Sequence, residues 1–329
     1  MSVSPLAWLA LAIIVTGLLM VDFIGHARRP HPPSIREAIG WTSGYTCLAV
    51  VYGLAVWGSE GRTYAGQFYA GWLTEWSLSV DNLFVFILIL SAFRVPRDFQ
   101  QKALLLGIAT ALVLRLAFIL AGAALIRHFS WVFYLFGAFL VYTAVKQLLD
   151  ARKDDDTEED ATAYVDNSVT RFVRRLLPTT DGFVGNKLLH RHAGRTMITP
   201  LLIVVIALGT ADLMFAFDSI PAIFGLTSEP FLVFSATAFS LLGLRQLFFL
   251  IDGLLSHLVY LPYGLTVILG FIGLKLVNHA LHQNTLPFIN GGRPVTAFPE
   301  PSTEVSLGLI VITLALVAVT SLIHARRRA

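Results

Sequence analysis

The sequence contains little charge and almost no cysteine. Only 14% of its 329 residues are charged, and Cys47 is the single cysteine. The chain can therefore form neither an internal disulfide nor a thiolate cage for a metal. It also lacks a Walker A phosphate loop and a glycine-rich dinucleotide fingerprint, which argues against ATP-driven pumping and against nicotinamide or flavin chemistry. The sequence predicts neither an enzyme nor a prosthetic group.

The residues that are present indicate a membrane protein. Hydrophobic residues make up 56% of the chain and the mean hydropathy is +0.71, whereas soluble proteins carry about 25% charged residues. We therefore predict an all-α polytopic fold whose main partner is the lipid bilayer. Nine segments are long enough to cross it: 5–24, 38–57, 66–91, 103–126, 131–149, 198–224, 231–250, 254–277 and 304–324.

The distribution of Lys and Arg predicts the orientation. With the N-terminus outside, the inner side would hold Arg94, Arg97 and Lys102, the many basic residues between the fifth and sixth spans, and the terminal arginines 326–328. Little more than three arginines would lie outside. This bias predicts an N-out, C-in topology. Because the basic residues follow the membrane rule, the net charge of +3 does not indicate a nucleic-acid partner.

Two hydrophobic spans each carry a pair of carboxylates six residues apart. Glu75 and Asp81 lie in the third span, and Asp212 and Asp218 lie in the sixth. An ionised side chain at the bilayer centre costs about 2.5–3.5 kcal/mol on insertion scales, so such residues usually have a function. These acids and their neighbours offer only oxygen ligands, which suit hard divalent cations. The candidate metal ligands are Glu75, Asp81, Asn82, Asp212, Asp218 and Ser219.

The two acidic spans also begin two similar units. Ala109-Thr-Ala precedes Arg115 in the fourth span, and Ala236-Thr-Ala precedes Arg245 in the seventh. Since the third and sixth spans would run in opposite directions, spans 3–5 and 6–8 are predicted to form two inverted three-helix repeats with a site where they meet. The predicted units are residues 1–60, the first repeat 66–149, a charged cytoplasmic linker 150–197, the second repeat 198–277 and a C-terminal helix with a basic tail 304–329.

Helical geometry limits how each acidic pair could act. Residues six apart lie about 9 Å apart along a helix and about 120° around it, so one ion requires either a central helix or a local break. Pro221 favours a break in the sixth span because it removes a backbone amide. Arg115 and Arg245 could offset two acids and leave a charge that suits one divalent cation or two protons. Alternatively, the arginines simply neutralise the acids in structural pairs.

The strings Glu75-Trp-Ser-Leu-Ser-Val-Asp81-Asn82 and Phe215-Ala-Phe-Asp218-Ser219-Ile-Pro221-Ala-Ile-Phe224 resemble the TerC family of integral membrane proteins. The resemblance extends over nearly the whole chain. It implies a bacterial inner-membrane exporter of Mn²⁺, grouped with the LysE-type exporters, whose metal site would map onto the six candidate ligands. Many relatives carry a Glu three positions before the residue that matches Asp212, where this chain has Gly209.

The favoured hypothesis is a secondary transporter that exports Mn²⁺ in exchange for protons, with Asp81 and Asp218 as central ligands. Two alternatives stay open: a membrane scaffold or assembly factor in metal or tellurium stress, and a passive divalent cation channel. The sequence does not decide between Mn²⁺ and Ca²⁺. It leaves open the coupling ion and whether the chain forms a homo-oligomer or binds membrane partners.

Overall fold

The computed structural model describes residues 3–24, 34–129, 131–150, 178–180, 182–192, 195–251, 260–284 and 286–328. Within these ranges the chain is almost entirely helical, which confirms the predicted all-α class. The long helices are α1 (Pro5–Asp22), α2 (Ile35–Glu60), α3 (Arg62–Ala92), α4 (Arg97–His128), α5 (Val132–Asp150), α6 (Pro200–Phe224), α7 (Pro230–Ile251), α8 (Leu261–His282) and α9 (Thr303–Arg328). Each overlaps one of the nine predicted spans.

Eight of the described helices are long and apolar enough to cross a membrane. The remaining long helix, α3, has 31 residues and packs among them against α6 and α7. The apolar window of α7 is completely buried, whereas those of α1, α2 and α9 are mostly exposed. The bundle therefore has α7 at its centre and three helices at its periphery, as expected of a multi-pass integral membrane protein.

Local sequence sets most helix boundaries. Ser34 precedes α2, and its Oγ accepts a hydrogen bond of 3.2 Å from the Glu37 amide, which is an N-terminal cap. Pro200 begins α6, where its missing amide costs nothing. The eighth span was predicted at 254–277, but α8 runs from Leu261 to His282. The helix continues through Asn278 and His279, whose polarity ends the apolar window early.

The largest contacts among the described helices join the two predicted repeats. α3 packs on α7, α4 packs on α6, and α5 packs on α8, whereas contacts within one repeat are few. If α3, α4 and α5 correspond to α6, α7 and α8, the α3–α7 contact is equivalent to the α4–α6 contact. The α5–α8 contact is then equivalent to itself. This is the packing pattern expected of inverted repeats. The boundaries of the predicted units stay a prediction.

The contact between α5 and α8 depends on two glycines. A Cβ atom on Gly137 would lie 2.8 Å from the carbonyl oxygen of Gly273, and one on Gly273 would lie 3.0 Å from the carbonyl oxygen of Gly137. The two helix backbones are therefore closer at this point than a Cβ atom on either residue would allow. Small residues at helix contacts are the usual means of such close packing in membranes.

The predicted linker between α5 and α6 is only partly described, since residues 151–177 lie outside the described ranges. Its last part contains an antiparallel pair that the sequence analysis did not predict, β1 (Leu189–His192) and β2 (Arg195–Ile198), with Leu189 opposite Ile198. The hydroxyl of Thr199 donates 2.7 Å to the Lys187 carbonyl. These bonds fix the chain immediately before α6 begins.

Candidate functional site

Arg115 on α4 is the centre of a buried polar network. Its side chain is fully buried. The guanidinium binds Asp212 of α6 with two hydrogen bonds, Nε to Oδ2 at 2.7 Å and Nη2 to Oδ1 at 3.1 Å. Its Nη1 donates to Oε1 of Glu75 on α3, and to Oγ of Ser219 on α6 at 3.2 Å. A single arginine therefore joins three helices and both predicted repeats.

The carboxylates in this network are as buried as the arginine. Glu75 and Asp212 expose no more than 1% of their surface. Removal of an isolated charge from water costs several kcal/mol, so buried ions are kept by close, hydrogen-bonded partners. The bidentate contact between Arg115 and Asp212 is the strong form of such an ion pair. The network thus holds two buried acids beside one buried arginine inside the helical bundle.

The sequence predicts one site where the two acidic pairs meet. In the structure, one acid of each pair, Glu75 and Asp212, binds the same arginine. The predicted break at Pro221 is wrong, because α6 is continuous from Pro200 to Phe224. Within this continuous helix, Pro221 still removes the amide that would bond the carbonyl of Phe217, next to Asp218.

Asp218 and Asp81 occupy different positions from this pair. Asp218 is partly exposed and lies within electrostatic range of Glu75 and Arg115. The backbone at Asp81 belongs to α3, but its side chain lies outside the described part of the structure. Within that part, no group of three His, Cys, Asp or Glu side chains is arranged to hold a metal. The six-ligand metal site therefore stays a prediction.

A row of buried polar atoms continues from the network along α3. The Oε2 atom of Glu75, the hydroxyls of Thr74, Ser77 and Ser79, and Nδ2 of Asn82 have no hydrogen-bond partner among the described residues. Glu75, Ser79 and Asn82 recur at intervals of four and three residues, so they share one helix face. Buried polar atoms without partners are uncommon, and an ordered water or a bound ion is one of the explanations for them.

Arg245 does not join this network. Its Nη2 donates 2.8 Å to Oδ1 of Asp22, and both side chains are buried. The spacing explains the difference, because Arg115 follows Ala109 by six residues, whereas Arg245 follows Ala236 by nine. Three additional residues move the side chain about 4.5 Å along the helix and about 60° around it. Arg245 therefore binds α7 to α1.

Gly209 lies where α6 approaches α4. A Cβ atom there would be 3.2 Å from Cγ2 of Thr110, and one on Gly107 would be 2.9 Å from Cβ of Leu208. These two glycines let the helices approach closely one turn before Asp212 meets Arg115. A glutamate at position 209 would require the helices to separate or Thr110 to move.

A polar cavity lies beyond the C-terminal end of α6. It has a volume of about 310 Å³, and its wall includes Gln67, Thr227, Lys275, His279 and Glu300. The Thr227 hydroxyl donates 2.8 Å to Oε1 of Gln67, and Nδ1 of His279 lies 3.0 Å from Oε1 of Glu300. In the predicted orientation this cavity opens to the outside. It lies at the end of the helix that carries Asp212 and Asp218.

Comparisons with known proteins agree with the resemblance. The protein-family model described as "Integral membrane protein TerC family" matches residues 60–329. An uncharacterized membrane protein of Mycobacterium tuberculosis is 49% identical over 329 residues, which is 100% of this chain and 82% of that protein. Another from Myxococcus xanthus is 38% identical over 323 residues, covering 98% of this chain and 94% of its own length.

A protein of Escherichia coli named "Putative membrane-bound redox modulator Alx" is 37% identical over 283 residues, covering 83% of this chain and 86% of its own length. No solved structure matches the chain.

Proposed function

Because the chain belongs to the TerC family of integral membrane proteins, we propose that it is a secondary transporter that exports divalent cations from the cytoplasm, with Mn²⁺ as the preferred ion, in exchange for protons. The observation that supports this most is the meeting of Glu75 and Asp212 inside a membrane-spanning bundle. The two acids come from opposite repeats, as expected of a site used in alternating access. The bacterial relatives favour the bacterial inner membrane as its location.

The charge of the acidic group supports a cation as the substrate. Among the described contacts, Arg115 pairs with two of the four acids of α3 and α6, Glu75 and Asp212, whereas Arg245 binds Asp22. If all four acids were ionised, the group would carry a formal charge of −3. A divalent cation and a proton together would neutralise it. Buried carboxylates without a counter-charge are costly, so an excess of acids over arginines in these helices suits a bound cation better than a purely structural role.

The kind of ligand supports a hard divalent ion. Carboxylates, hydroxyls and the Asn82 amide offer oxygen, which suits manganese, calcium and magnesium. Oε2 of Glu75 and the hydroxyl of Ser79 share one face of α3 and have no hydrogen-bond partner among the described residues, so they could replace water around such an ion. Manganese is preferred because of the family resemblance. The proposed ligands stay the six residues named from the sequence.

Flux through the purified protein tests the proposal. Proteoliposomes should take up Mn²⁺ when a pH gradient is imposed, and Asp81→Asn and Asp218→Asn should each abolish this uptake because each removes a charge from the site. Asp98→Asn is a matched control, since Asp98 is an exposed acid at the start of α4, and it should transport normally. Full transport by both site variants would refute the proposal. Flux that ignores the pH gradient would favour a passive channel.

The name of the Escherichia coli relative suggests a second candidate, a membrane factor that affects redox state. This chain has only Cys47, which is exposed on α2, so it cannot cycle an internal disulfide. Such a role would require a membrane partner and fits the scaffold hypothesis. Partners that copurify equally well with the wild type and with the Asp81→Asn variant, without any metal flux, would support it.

A further inference from the structure

We propose that Arg115 is an internal substitute for the transported cation: its guanidinium occupies Glu75 and Asp212 when no metal is bound and must withdraw when the metal binds. This inference rests on the proposed transport function. It assigns Arg115 a role in setting the affinity and release of the ion, beyond that of a charge partner.

The first support is the set of atoms that Arg115 contacts. Three of its nitrogens reach oxygens of Asp212 and Glu75, and Nη1 also reaches Oγ of Ser219. These are three of the six oxygen-bearing side chains that a divalent ion would use. A divalent ion and a guanidinium on the same carboxylates repel each other strongly, because both are cations at contact distance in a low-dielectric interior. Occupation by one therefore opposes occupation by the other.

The second support is that the site is incompletely satisfied while Arg115 occupies it. Oε2 of Glu75 has no partner among the described residues, and the same holds for the hydroxyl of Ser79, which lies on the same face of α3. A purely structural ion pair would be expected to satisfy both carboxylate oxygens, because an unpaired buried acceptor is costly. The arrangement leaves part of the ligand set ready for a larger coordination shell.

The third support is an acid close to the displaced arginine. Asp218 lies one residue from Ser219 and within electrostatic range of Arg115. It is partly exposed, so it is less committed to the network than Asp212. A guanidinium that leaves Glu75 and Asp212 therefore keeps a carboxylate in its surroundings. Arg245 instead binds Asp22 of α1.

Mn²⁺ binding to the purified full-length protein tests this inference. The Arg115→Gln variant should bind Mn²⁺ more tightly than the wild type, by about 5- to 150-fold, which is the usual range for coupling between two ligands. It should also transport Mn²⁺ more slowly, because the guanidinium that displaces the ion from the two acids would be missing. Arg115→Lys keeps the charge but loses the planar set of guanidinium donors, so its affinity for Mn²⁺ should lie between those of the wild type and Arg115→Gln.

Arg245→Gln is the matched control, since it also breaks a buried Arg–Asp pair, and its affinity for Mn²⁺ should equal that of the wild type. A wild type that binds Mn²⁺ while Arg115→Gln binds it equally or more weakly would overturn the inference and leave the transport function intact. If Arg115→Gln does not fold, the affinity of Arg115→Lys decides in the same way. A wild type that neither binds nor transports Mn²⁺ would instead refute the proposed function.

Discussion

At the scale of single residues, the network depends on the shape of the guanidinium group. Arginine presents five N–H donors in a fixed plane and keeps its charge when it is buried. One such group can therefore bind Asp212 with two parallel bonds and still reach Glu75 and Ser219. A lysine at position 115 would be a point charge with three donors and could not hold both acids in one geometry.

The contributions of these residues to stability should differ in a definite order. Arg115→Gln leaves two buried carboxylates without a counter-charge and should lower the free energy of unfolding by about 3–5 kcal/mol. Ser219→Ala removes one neutral donor–acceptor contact and should lower it by about 0.5–1.5 kcal/mol. Denaturant titration in detergent micelles measures both. Equal losses in the two variants would contradict the central position of Arg115.

At the scale of helices, the close contact of α5 with α8 gives a sharp prediction. Gly137→Ala would place a methyl group against the Gly273 carbonyl and should destabilise the fold by about 1–3 kcal/mol, the usual cost of overpacking. Gly308→Ala on α9 is the control, because a Cβ atom there meets nothing within 4 Å. It should be neutral or slightly stabilising, since alanine favours helix. Thermal unfolding in detergent compares the two variants.

The same scale shows what could be predicted from the sequence. Eight of the nine long described helices are apolar segments of sufficient length, so these helices and the all-α class were predictable. The side of each helix that packs against a neighbour was not predictable, because a membrane helix that is apolar all round carries little information about that side. Glu75 and Asp81 could be found as exceptional residues. That Glu75 would meet Asp212, and Arg245 would meet Asp22, depends on packing between distant segments.

At the scale of the whole molecule, the predicted orientation can be tested directly. In a Cys47→Ser background, a cysteine at the exposed position 228, between α6 and α7, should react with an impermeant maleimide added to intact cells. A cysteine at position 98, which is exposed at the start of α4, should react only after the membrane is opened. The opposite pattern would reverse the predicted N-out, C-in topology and the direction assigned to the cavity near Glu300.

The interleaved packing of the two repeats has a consequence for biosynthesis. When the ribosome has completed α5, Glu75 and Arg115 have been made, but Asp212 lies 97 residues beyond Arg115 in the sequence and has not. The helix surfaces that will receive α6, α7 and α8 are then also without partners. The first half of the chain must therefore wait in the membrane or in the insertion machinery with half of its ionic network, and folding is completed only when the second half arrives.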